Sequence, residues 1–224
     1  MKPAVKLAES KSVGEGQQLV SELFHALSQP ITALRCSLEL ALYAQSSPSK
    51  ENLQVALAYA EKIAQLASGI RELVQADDPG DERVELLLKD CLRGAVLDME
   101  PVAEAAQVAI EMCGPVTGKI IAEPRRLHQA LFYLLEFALW SAAPGSILSM
   151  STEAQGVQSL TFLNVSSKKS LLNSEAEIEA KSVALSRRLG LAIAGRIFES
   201  SGGRLQMQED EHNLKLRFYL PLAN

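Results

Sequence analysis

At 224 residues the chain is long enough for one large domain or two small ones, and its 47% hydrophobic content is ample for a packed core. A net charge of −5 argues against a broad nucleic-acid surface, no stretch approaches the ~20 apolar residues of a membrane span, and residues 1–16 lack the apolar run of a secretory signal. Cys36, Cys91 and Cys113 are odd in number, widely spaced and without a C-x-x-C, which argues against a disulfide framework or a metal site and suits the cytoplasm.

Residues 1–16 read as an N-terminal tail. From 17 to 45 there is almost no helix breaker, and Val20, Leu23, Leu27, Ile31, Leu34, Leu38 and Ala41 recur three or four apart. That is the stripe of an amphipathic helix, about 45 Å long if it runs for ~30 residues. Ser46-Ser47-Pro48 breaks it, with Ser47 as N-cap and Pro48 as the first residue of a second helix. Leu53, Leu57, Ala60, Ile63, Ala67, Ile70 and Val74 mark one face of that helix, which ends in the polar linker 76–81. The two helices, 17–78, form a hairpin. A hairpin alone buries too little, so a second copy is expected to complete a four-helix bundle; packing on the chain's own C-terminal part is the alternative.

Residues 82–224 change to a mixed pattern. Short strands are expected at 84–86, 107–112, 146–151 and 159–165, with helices at 88–106 and 124–142. Residues 166–181 have no clear period and read as a loop. A helix at 190–200, a Ser-Gly-Gly stop and closing strands at 204–208 and 213–220 follow. The fold class is therefore α+β, a helical hairpin followed by an α/β sandwich with one sheet and about three helices.

Of three histidines, His25 has the most distinctive setting. At 100° per residue it lies roughly 165° from the centre of the first stripe, on a polar face with Ser21, Glu22, Ser28, Gln29 and Thr32. Pro30, just over a turn later, costs a helix interior roughly 3 kcal/mol and calls for compensation. An ordinary solvated face with a tolerated proline fits these facts equally well. His128 and His212 have no compelling role.

The string His25-Ala26-Leu27-Ser28-Gln29-Pro30-Ile31-Thr32-Ala33-Leu34 resembles the phospho-acceptor box of histidine kinases, normally His-Glu/Asp-Leu-x-x-Pro-Leu-x-x-Ile. In that family the box sits on the first helix of a dimerising hairpin, where the periodicity independently places it. The resemblance implies that His25 carries phosphate and exchanges it with a response-regulator aspartate. Ala26 replaces the acidic residue that assists attack on ATP. Gln29 stands where kinases with phosphatase activity carry Thr or Asn, so its amide is a candidate for orienting a water; an exposed glutamine with no role is the plainer alternative. Glu22, Ser28 and Thr32 share the face and are the expected partner contacts.

The stretch Leu189-Gly190-Leu191-Ala192-Ile193-Ala194-Gly195-Arg196-Ile197-Phe198-Glu199-Ser200-Ser201-Gly202-Gly203-Arg204-Leu205 and the closing Leu216-Arg217-Phe218-Tyr219-Leu220-Pro221-Leu222 resemble the ATP-binding domain of the same kinases. The nucleotide elements depart from it. The N-box, N-L-L-x-N-A in the family, reads Tyr133-Leu134-Leu135-Glu136-Phe137-Ala138, without either asparagine. The D-x-G-x-G box is replaced by Asn164-Val165-Ser166-Ser167-Lys168-Lys169, and G-x-G-L-G-L by Ser186-Arg187-Arg188-Leu189-Gly190-Leu191. Phosphate approach needs the absent glycines, and the Arg188 side chain obstructs it.

With three nucleotide elements degraded and the fold-bearing hydrophobics kept, the chain resembles kinase-derived histidine phosphotransferases. The resemblance implies a dimer relaying phosphate between response-regulator aspartates through His25, with no cofactor or metal held by this chain and Mg²⁺ on the receiver domain. Two alternatives stay open. One is an ATP-dependent kinase with an unorthodox site; the other is a non-catalytic scaffold that binds signalling partners.

Overall fold

The computed structural model describes residues 6–43, 50–77, 82–155, 158–167, 177–210 and 213–223. The chain divides into two compact units, Met1–Arg71 with Lys181–Ser186, and Glu72–Ala180 with Arg187–Asn224. No described helix is long and apolar enough to cross a membrane.

The first unit is built on two helices, α1 (Lys6–Tyr43) and α2 (Lys50–Gln75). Residues 6–16, expected as a tail, are helical: nothing after Pro3 forbids a helix, and Gly14 and Gly16 cost only about 1 kcal/mol each. The Ser47-Pro48 cap lies outside the described residues. Each helix carries two apolar stripes rather than one. Leu23, Leu27, Pro30, Leu34 and Ala41 on α1, and Ala56, Tyr59, Ile63, Leu66 and Ile70 on α2, are buried or half-buried. The Pro30 ring is among the buried groups, so packing offsets part of the hydrogen bond that proline cannot make. A second stripe stays exposed: Phe24, Ile31, Leu38 and Leu42 on α1, Leu53, Leu57, Ala60, Ala64 and Ala67 on α2. The sequence stripe had merged these sets, because positions 20° to 40° apart on a helix cannot be separated by period alone.

The second unit holds β1 (Val84–Leu87), α3 (Leu88–Ala106), β2 (Ala109–Cys113), β3 (Lys119–Ala122), α4 (Pro124–Ser141), β4 (Ile147–Gln155), β5 (Gln158–Val165), β6 (Arg204–Glu209) and β7 (Leu214–Pro221). The fifth helix, α5 (Glu177–Ser200), supplies its C-terminal part. Five strands form one sheet in the order β2-β4-β5-β7-β6, with only β2 and β4 parallel. Among the described residues there are two sheets instead of one, since β1 pairs antiparallel with β3 as a separate ribbon. The inner face of the large sheet is a register of apolar pairs, among them Met150↔Leu163, Leu163↔Leu216 and Val165↔Leu214. Phe198 of α5 stacks on Phe218 of β7 with centroids 4.7 Å apart. Each such ring or leucine stabilises by roughly 1.5–3 kcal/mol through burial.

Local signals set the helix ends. Glu123 caps α4, its carboxylate accepting from the backbone N–H of Arg125 at 3.1 Å and Arg126 at 2.7 Å, and Pro124 occupies the first turn where no N–H is needed. Gln107 ends α3 in the left-handed region at φ 56°. Of the loop expected at 166–181, residues 168–176 lie outside the described residues. Residues 177–181, expected in that loop, belong to α5, which starts thirteen residues before the expected Gly190.

Candidate functional site

His25 is exposed on α1, as its angular position requires. One turn on, Gln29 Nε2 lies 3.2 Å from His25 Nε2. The Gln29 amide can donate through Nε2 or accept through Oε1, so it serves a neutral imidazole with its ring proton on either nitrogen. The residue at i+1, Ala26, offers no carboxylate to take that proton. Ser28 Oγ donates to the Phe24 carbonyl at 2.8 Å, and Thr32 Oγ1 to the Ser28 carbonyl at 2.8 Å. Their hydroxyl protons are thus spent on the helix. Glu22, expected on the exposed face, is half-buried. His25, Ser28, Gln29 and Thr32 therefore share one exposed patch, with Glu22 at its margin.

In the second unit, the N-box positions lie on α4. Phe137 is buried, and its ring tilts against Trp140 with centroids 6.1 Å apart. The Glu136 carboxylate pairs with the Arg187 guanidinium; both side chains are half-buried, and burial pushes the Arg187 pKa down from its ordinary value. Residues 186–191 are not a loop. They lie in the interior of α5, whereas a helix leaves only its first four N–H groups without an internal partner. Backbone donors for a phosphate are therefore not presented there.

The glycines kept in this stretch have structural reasons. A Cβ on Gly190 would come within 2.8 Å of the Tyr133 ring, and one on Gly203 within 2.0 Å of the Tyr219 carbonyl oxygen. Gly202 takes φ +78°, which favours glycine at the end of α5. These glycines stand where the fold closes.

Sequence reasoning missed a polar cluster at the end of α2. The Glu72 carboxylate accepts from the Tyr133 hydroxyl and, at 2.9 Å, from Gln129 Nε2. Arg126 Nη1 donates to the Gln75 carbonyl at 2.6 Å, and Arg196 Nη1 to both Asp77 oxygens at 2.8 and 2.6 Å. These contacts lie within the second unit, which begins at Glu72. The partners are 51 to 119 residues apart, so no local pattern announces them. His128 pairs with Asp98 at 2.9 Å between α4 and α3, a tie on the surface of the fold; His212 lies outside the described residues.

Solved structures share this arrangement over almost the whole chain. Histidine kinase AdeS of Acinetobacter baumannii superposes with a TM-score of 0.63 at 18% identity, covering 89% of this chain and 98% of that one. The chain has a histidine kinase core fold. Histidine kinase ThkA, in complex with the response regulator protein TrrA, matches 99% of this core and 68% of its own chain, with a TM-score of 0.65 and 16% identity. A histidine kinase from Burkholderia phymatum covers 90% of this core and 98% of its own chain, with a TM-score of 0.55 and 18% identity. No family model matches the sequence, and no curated protein does.

Proposed function

We propose that this histidine-kinase-like core is a cytoplasmic two-component phosphorelay protein, a dimeric histidine phosphotransferase that passes phosphate between response-regulator aspartates through His25 and does not use ATP. The observation that carries the reading is the pairing of an exposed, helix-mounted His25 with a nucleotide region turned over to packing. ATP·Mg²⁺ does not fit the residues present: Phe137 has no ligand atom, Glu136 is neutralised by Arg187, and residues 186–191 are helix interior. A regulator as partner is supported by the ThkA core, whose complex is with a response regulator.

The step needs only His25 and a receiver. The Nε2 lone pair attacks the phosphorus of an aspartyl phosphate, the N–P bond forms, and the carboxylate leaves with its electron pair. A second receiver's aspartate reverses the step. Mg²⁺ held by the receiver would shield the phosphoryl charge, and His25 would supply the nucleophile.

Dimerisation is supported by the exposed stripes. Leu53, Leu57, Ala60, Ala64 and Ala67 are spaced four and three apart on α2, matching Phe24, Ile31, Leu38 and Leu42 on α1. Phe24 is 68% exposed and Leu57 59%, more apolar surface than a lone hairpin comfortably presents. A second copy would cover both stripes in a four-helix bundle.

The test is transfer from a receiver carrying labelled aspartyl phosphate. Label is expected on the wild-type protein and absent from His25→Gln. Undiminished relay by His25→Gln would sink the proposal.

A further inference from the structure

We propose that the last turn of α2 is a conditional helix, held closed by a clasp of side chains from α4 and α5, that unwinds when they release it. Left to itself this turn is poorly ended. The last four carbonyls of a helix have no partner within it, and the negative end of the helix dipole disfavours carboxylates. Yet α2 has no basic residue in its last turn, and Glu72 and Asp77 stand at that end. The cations come from elsewhere in the chain. Arg126 Nη1 donates to the Gln75 carbonyl at 2.6 Å, and Arg196 Nη1 to the two Asp77 oxygens at 2.8 and 2.6 Å. The Glu72 carboxylate accepts from Gln129 and Tyr133 of α4, and Ala76 is buried.

The same helix, α5, fastens the chain on the far side of the polar linker. Arg83 Nη2 donates to the Ser200 carbonyl at 2.5 Å, about one turn beyond Arg196. Both ends of the linker are thus tied to the C-terminal turns of α5. The ties are of a kind that can open. The Arg196 and Asp77 side chains are 49% and 58% exposed, so water and other charges compete for each of them. A segment held by exposed polar contacts opens locally while a packed core stays closed. On release the rise per residue goes from ~1.5 Å in a helix to ~3.3 Å in extended chain. The compact turn leading from α2 toward β1 then becomes a longer, slack tether.

The experiment is hydrogen exchange of the full chain read by mass spectrometry over residues 73–76, whose amides include the Ala76 N–H bonded to the Glu72 carbonyl at 2.8 Å. These amides are expected to be protected in the wild type. Arg196→Asp should speed their exchange about tenfold or more, while α3 and β5 change by less than about twofold. Adding Asp77→Arg to that variant rebuilds the pair with its charges exchanged and should restore most of the protection. Asp77→Ala removes the same contact from the exposed side without touching α5, and should give the same local rise even if Arg196→Asp disturbs the fold. Exchange at 73–76 that is unchanged in Asp77→Ala would mean the turn holds itself. Exchange raised equally across α3 and β5 would make these side chains ordinary supports of the fold. Either result overturns the clasp.

Discussion

The Tyr133 hydroxyl is pushed up to about 12 from the usual 10, first by burial and then by its hydrogen bond to the Glu72 carboxylate. A folded value above the unfolded one means the neutral phenol stabilises the fold. That contribution is complete below about pH 10 and is lost as pH rises to about 12. Tyr133→Phe should therefore cost about 1 kcal/mol in urea melts at neutral pH, the scale of one partly exposed hydrogen bond. The gap from wild type should close between about pH 10 and 12; a gap independent of pH over that window would refute the Glu72 contact. At this scale the sequence is legible only over short separations. The exposed His25 and its i+4 neighbour Gln29 follow from helical spacing. The pairs Tyr133 with Glu72 and Arg187 with Glu136 do not, because they join residues from different elements whose approach is decided by the fold.

Most elements were readable because their residues alternate or recur with a clean period: α3 and α4, β4, β5 and β7 fall within a few residues of expectation. The ribbon strand β3 was not. Lys119-Ile120-Ile121-Ala122 is only four residues long, and it is a strand because it pairs with the distant β1. The early start of α5 was also hidden, since the apolar residues of 177–189 are interleaved with Glu177, Glu179, Lys181, Arg187 and Arg188. That start carries a prediction. Restoring family glycines with a Ser186→Gly, Arg188→Gly double variant should lower stability by roughly 1–2 kcal/mol, the helix-propensity cost, while conferring no ATP binding by calorimetry. Nucleotide binding by that variant would mean residues 186–191 can act as a phosphate loop after all. The retained glycines should be less forgiving. Gly190→Ala needs only the Tyr133 ring to shift, within the roughly 1–3 kcal/mol typical of overpacking, partly offset by alanine's helix preference. Gly203→Ala meets backbone and should be the more destabilising of the two in thermal melts.

For the whole molecule, the order of a hairpin followed by an α/β sandwich was legible throughout, since it rests on long periodic segments. The polar cluster at Glu72, Gln75 and Asp77 was not legible, because its partners Tyr133, Arg126 and Arg196 are distant in sequence. Exposed stripes on the hairpin predict a dimer by analytical ultracentrifugation, and Leu57→Glu should shift it toward monomer by burying charge in the seam. A wild-type monomer at micromolar concentration would contradict the bundle.

The central claim is that phosphate reaches His25 from a receiver aspartate and not from ATP. Its most direct test is the intact mass of the purified protein after parallel incubation with a phosphorylated receiver and with ATP·Mg²⁺. We predict an acid-labile phosphate, lost in His25→Gln, with the receiver and none with ATP. Phosphate on His25 from ATP alone would contradict the account and make the protein a kinase.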